Sequence, residues 1–85
     1  MNTLTINTSD KEDAIKQINA FRLENKNRWY QIELNYDTHV YKMKIYNTWV
    51  QIFRKVKDGN ILWNDSSAMD IKVGEFKKYL QEKIG

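Results

Sequence analysis

Residues 28–63 read RWYQIELNYDTHVYKMKIYNTWVQIFRKVKDGNILW, and the reading of this stretch decides the fold. Apolar residues recur here at every second position, the period of strands with one buried face. Tyr30, Ile32, Leu34 and Tyr36 alternate with Gln31, Glu33 and Asn35. Tyr41, Met43 and Ile45 alternate with Lys42, Lys44 and Tyr46. Val50, Ile52 and Val56 alternate with Trp49, Gln51, Phe53 and Lys55. Asp37-Thr38 and Asn47-Thr48 can turn the chain between these runs. Asp58-Gly59 is the strongest hairpin signal, because both residues tolerate the positive φ of a tight turn. Asn60 to Trp63 then forms a short return strand. The stretch predicts a four-strand antiparallel meander.

Two-residue turns fix the register of such a meander, so the pairing can be tested for consistency. Leu34 falls opposite Tyr41, Ile32 opposite Met43, and Tyr30 opposite Ile45. Ile45 falls opposite Val50, Met43 opposite Ile52, and Val56 opposite Ile61. One face is therefore apolar throughout, apart from Tyr41 opposite Arg54, with Trp63 beyond. A guanidinium at that position can stack on the rings.

Outward from the meander, Leu4 and Ile6 alternate with Thr3, Thr5 and Asn7, which predicts a first strand. Ser9-Asp10-Lys11-Glu12 has the form of a capping box, and the acidic residues 10, 12 and 13 suit the positive end of a helix dipole. Ala14, Ile15, Ile18, Phe21 and Arg22 follow at helical spacing. That helix should fade near Asn25-Lys26-Asn27. After the polar Asn64-Asp65-Ser66-Ser67, the reading of Ala68 to Lys72 is open. Val73, Phe76, Lys77, Leu80 and Ile84 predict a terminal amphipathic helix, with Asp70 near its start. The expected fold is α+β in two layers: strand, helix, four-strand antiparallel meander, helix. Both helices then lie on one sheet face.

The 85 residues suit one domain spanning 1–85. A domain of this size buries only roughly 60–65% of its unfolded surface, so a shallow binding surface is easier to build than a deep cavity. Cysteine is absent, which removes disulfides, thiolate chemistry and Cys-based metal sites. No apolar run is long enough to span a bilayer. A soluble protein of the reducing cytoplasm is the expectation. The net charge is +3 and the charges are interspersed.

The second sheet face is unusual. Glu33 falls opposite Lys42 and Gln31 opposite Lys44, ordinary solvent-face pairs. Trp29, however, falls opposite Tyr46, and Tyr46 opposite Trp49. Phe53 lies farther along beside Lys42 and Lys55. With both helices on the other side, large aromatics stand on an open sheet among lysines. Such patches stabilise small sheets, and they also mark contact surfaces. The candidate partner-binding residues are Trp29, Lys42, Lys44, Tyr46, Trp49, Gln51, Phe53 and Lys55.

No constellation for catalysis, metal or cofactor binding stands out. His39 is the lone histidine and has no nearby ligand cluster. The acidic residues 10, 12 and 13 belong to a helix start. Asp58-Gly59-Asn60 lacks the downstream glutamate of a calcium loop. The glycines at 59, 74 and 85 are too scattered for a phosphate-binding loop.

Short, cysteine-free α+β chains rich in Asn and Lys resemble the small inhibitors of phages and mobile elements, the anti-CRISPR proteins among them. That resemblance implies a non-enzymatic protein that sterically blocks a larger host protein or nucleoprotein complex. It carries over no functional residues. The basic charge departs from inhibitors that mimic DNA, and points to an acidic or mixed docking surface. The alternative is single-stranded nucleic acid bound on the aromatic and basic sheet face. A homodimer through that face is a third outcome.

Overall fold

The computed structural model describes residues 2–26, 28–56 and 67–84. The chain runs β1 (Asn2–Thr8), α1 (Lys11–Glu24), β2 (Tyr30–Tyr36), β3 (His39–Ile45), β4 (Trp49–Val56), β5 (Ser67–Lys72) and α2 (Phe76–Glu82). A 3-10 turn, Val73–Glu75, leads into α2. The five strands form one sheet in the order β1-β2-β3-β4-β5. β1 is parallel to β2 and reaches it through α1, whereas the other three pairs are antiparallel. This is the two-layer α+β architecture that the alternation predicts.

The register follows from the turns as expected. Tyr30 pairs Ile45, Ile32 pairs Met43 and Leu34 pairs Tyr41. Met43 pairs Ile52, Ile45 pairs Val50, and Tyr41 pairs Arg54. The Arg54 guanidinium lies 5.9 Å from the Tyr41 ring centroid. Asp37 adopts φ 51°, the left-handed conformation that a short polar side chain tolerates in a two-residue turn. At the next turn, Tyr46 N–H donates to the Trp49 carbonyl at 2.9 Å.

The expected Asp58-Gly59 turn, the Asn60–Trp63 strand and the Val56–Ile61 pair lie outside the described residues. Among the described residues, the strand beside β4 is β5, with Trp49 pairing Lys72 and Arg54 pairing Ser67. Asp70 therefore sits within a strand and does not start the last helix. That helix begins at Phe76, and its buried residues are Phe76, Tyr79 and Leu80. Lys77, placed on the apolar stripe by spacing, is exposed. Phe76, Leu80 and Ile84 are buried as the spacing predicts, and Tyr79 joins them on the inward face.

The cap of α1 is also one residue later than the capping-box reading gives. Asp10 is extended, and its carboxylate accepts from the backbone N–H of Glu12 and Asp13. Thr8 Oγ1 in turn accepts from Asp10 N–H at 3.1 Å. A carboxylate complements the helix dipole as well as the free amides, which a serine hydroxyl does not.

Ala14 and Ile18 of α1, and Phe76, Tyr79 and Leu80 of α2, share one core with Ile32, Leu34, Tyr41, Met43, Val50 and Ile52. Both helices therefore cover the same face. They run side by side in opposite directions. Lys11 at the start of α1 donates to the Gln81 carbonyl in the last turn of α2. Arg22 near the end of α1 lies over the Phe76 ring at the start of α2. Asn25, only 5% exposed, ties this layer to the sheet. Its side-chain amide donates to the Phe21 carbonyl at 2.9 Å and accepts from Asn2. Its backbone carbonyl accepts from Arg28 N–H at 3.1 Å, which sets the start of β2. None of the helices among the described residues is long and apolar enough to cross a membrane.

Candidate functional site: an aromatic ladder on the open sheet face

The pleat sends every second side chain away from the helices. On that side the strand pairing sets the side chains in rows. Thr3, Gln31, Lys44, Gln51 and Asp70 form one row, and Thr5, Glu33, Lys42, Phe53 and Ala68 the next. Trp29, Tyr46, Trp49 and Lys72 form the row at one end of the sheet. No helix or strand among the described residues lies over this end.

The end row is a ladder of stacked rings. Trp29 and Tyr46 lie 6.0 Å apart between centroids at an interplanar angle of 15°. Tyr46 and Trp49 lie 4.4 Å apart at 18°. Trp29 remains 43% exposed and Trp49 38%. Such pairs add about 0.5–1.5 kcal/mol beyond their area burial, so the ladder is well ordered without being part of the core. Tyr46, in the middle, has both ring faces covered. The surface offered to a partner is the row of ring edges and the two outer faces.

The structure splits the eight residues singled out by the sequence. Trp29, Tyr46 and Trp49 come together. Phe53 stands apart, four residues along β4 from Trp49, with Lys44 Nζ 6.0 Å from its ring centroid. Lys42 pairs Glu33 and Phe53, and Gln51 pairs Lys44 and Asp70. Lys55 pairs Val40, which is buried at the far end of the face. The exposed aromatic surface is thus concentrated at one end and does not extend over the whole face.

Sequence alternation misses the neighbours of the ladder. Asn2, Arg28, Asn47 and Thr48 line a shallow groove with Trp29, Tyr46 and Trp49. Arg28 and Asn47 also line a second cleft of about 450 Å³ around the edge of the sheet. Arg22 and Lys26 from the end of α1 and Lys77 from α2 line that cleft, with Tyr30, Ile45 and Val73 among its apolar residues. The Arg22 guanidinium is held 5.1 Å from the Phe76 ring centroid. Burial pushes the Tyr30 hydroxyl above its ordinary pKa, and the Arg22 charge beside it opposes that shift. Adjacency to Trp29 is the one sequence signal for Arg28. The other cations converge only once the helices dock.

His39 is engaged on both ring nitrogens. Nε2 lies 3.1 Å from an Arg54 guanidinium nitrogen and Nδ1 lies 2.9 Å from Thr38 Oγ1. Arginine only donates, so Nε2 is the acceptor and Nδ1 carries the hydrogen toward Thr38. In this arrangement the imidazole lone pair faces a cation, and the Thr38 hydroxyl has no base to activate it. No group of three or more His, Cys, Asp or Glu side chains among the described residues could hold a metal ion.

No protein-family model matches the chain, and no curated protein or solved structure matches it either.

Proposed function

We propose that this chain is a non-catalytic binding protein that docks its aromatic ladder onto a larger protein or nucleoprotein complex and blocks it sterically. In this reading it acts in the host cytoplasm, as small phage and mobile-element inhibitors of the anti-CRISPR kind do. The observation that carries the proposal is the stacked Trp29–Tyr46–Trp49 row, ordered and yet exposed. Trp and Tyr dominate the hot spots of protein interfaces, because they supply large contact area with few rotamers to freeze. The surrounding Arg28, Lys44 and Lys72 suit a partner surface that is acidic or mixed.

Ring orientation favours a protein partner over single-stranded nucleic acid. Base-stacking platforms present free ring faces. Here the central faces are consumed by neighbouring rings, and what remains is a row of edges with only the two outer faces free.

The test is co-purification of a host partner on the tagged chain, compared with Trp29→Ala and Trp49→Ala. The expected outcome is loss of the partner from both variants while each keeps its circular dichroism spectrum and a cooperative melt. Partner retention together with lowered stability would make the ladder purely structural and sink the proposal. Titration with oligothymidylate across salt decides the alternative. Affinity that falls steeply as salt rises would mark a nucleic-acid surface. Gel filtration of both variants separates a homodimer from a foreign partner.

A further inference from the structure

The second cleft has a chemistry the ladder does not share. Its four charged lining residues, Arg22, Lys26, Arg28 and Lys77, are all cationic, and no carboxylate lines it among the described residues. They come from three separate places: the end of α1, the approach to β2, and α2. Arg22 has a structural role, since it complements the carbonyl end of α1 and stacks on Phe76. Lys26, Arg28 and Lys77 have no such role, and none of them makes an ion pair among the described residues. Like charges brought together repel, and an anion between them relieves that repulsion. Asn19, Asn25 and Asn47 add neutral amides to the walls. The volume of about 450 Å³ is that of a small-molecule site.

We propose that this cleft, between the end of α1, the start of β2, the β3–β4 turn and α2, binds a small anion carrying two or more linked phosphate groups. Arg22, held by Phe76, is the pre-set guanidinium for a bidentate contact. Lys26, Arg28 and Lys77 close on the ligand from the rim. Because Arg28 and Asn47 also line the ladder groove, an occupied cleft fixes one wall of the docking surface.

Inorganic triphosphate is the probe, titrated calorimetrically into the whole chain at roughly 0.15 M salt. One saturable site per chain is expected, with affinity falling about tenfold or more in Arg28→Ala and in Lys77→Ala. Both side chains are exposed, and a melt without ligand checks that each variant folds. Lys16→Ala removes the same charge from the other part of α1, and should leave affinity within about twofold. Trp49→Ala should bind triphosphate as the parent does. Absence of saturable binding would overturn the proposal. So would an equal loss in Lys16→Ala, which would reveal only a general charge effect. Loss in Trp49→Ala would move the anion to the ladder groove, and binding of oligothymidylate without triphosphate would make the surface a strand-binding one. Either result overturns the cleft as a small-anion site.

Discussion

The two faces of the sheet are built from the same strands, with side chains one residue apart, yet they solve different problems. The helix-covered face uses Ile32, Leu34, Met43, Val50 and Ile52, each buried to within 1% exposure. The open face gathers three rings in one row, with charged and amide residues filling the adjacent row and Phe53 and the buried Val40 farther along. Burial against helices rewards shape and volume, so aliphatics serve there. An exposed row has no partner layer. Its rings order one another by stacking, and their outer edges stay available. Stability resides on one face and availability for contact on the other.

That contrast can be broken by truncating each face in turn. Ile32→Ala leaves a cavity in the core and should cost about 2–5 kcal/mol in a denaturant melt. A smaller loss would mean that the helices settle into the space. Asn25→Ala comes next, because it removes the side-chain hydrogen bonds that join the end of α1 to β1. It should cost about 1–3 kcal/mol. Trp49→Ala on the open face should cost less than Ile32→Ala, losing about 0.5–1.5 kcal/mol of ring stacking besides its partly buried area, while removing partner binding. Equal destabilisation by Trp49→Ala and Ile32→Ala would erase the distinction between the faces.

The core face also predicts a pH response. Burial pushes the hydroxyls of Tyr30 and Tyr79 above the ordinary value of 10.0, with the charges of Arg22 and Arg54 opposing it. Below pH 10 both states hold these protons, and the two tyrosines give stability no slope. Above it the unfolded chain ionises first, so stability falls as pH rises toward the folded values. Tyr30→Phe and Tyr79→Phe should flatten that fall in melts followed across alkaline pH. The smallest effect belongs to Tyr41. Its hydroxyl is fully buried, with no hydrogen-bond partner among the described residues. Tyr41→Phe removes a desolvated polar group and should leave the melting temperature unchanged or slightly higher. A clear loss would reveal a partner for that hydroxyl.

What the sequence made legible was whatever local rules determine. Alternation together with two short turns specified the β2–β3–β4 register residue by residue, including the Tyr41–Arg54 pair and the Trp29–Tyr46–Trp49 row. β5 was harder. Its six residues, SAMDIK, contain only Met69 and Ile71 as large apolar side chains, as an edge strand needs few. Asp58-Gly59 is a stronger local signal, and the return strand that it predicts at Asn60–Trp63 lies outside the described residues. In and just after α2 the spacing marks Phe76, Leu80 and Ile84, which are buried, and errs only in giving Lys77 the inward place that Tyr79 takes. Of the cationic cleft, Arg22, Lys26 and Arg28 are close in sequence, but Lys77 joins them only through tertiary docking, so no local pattern marks the cleft as a whole.

The parallel pairing of β1 with β2 has a consequence for how the chain folds. β2, β3 and β4 are joined by two-residue turns, so their pairing closes small loops at low entropic cost. β1 can join only after the chain has passed through α1 and returned beside it, the longest connection between neighbouring strands of the sheet. The meander is thus the natural nucleus, and β1 arrives late, carried by the docking of α1. Destabilising changes in β1 should chiefly accelerate unfolding, whereas those in the β2–β3 hairpin should slow folding itself.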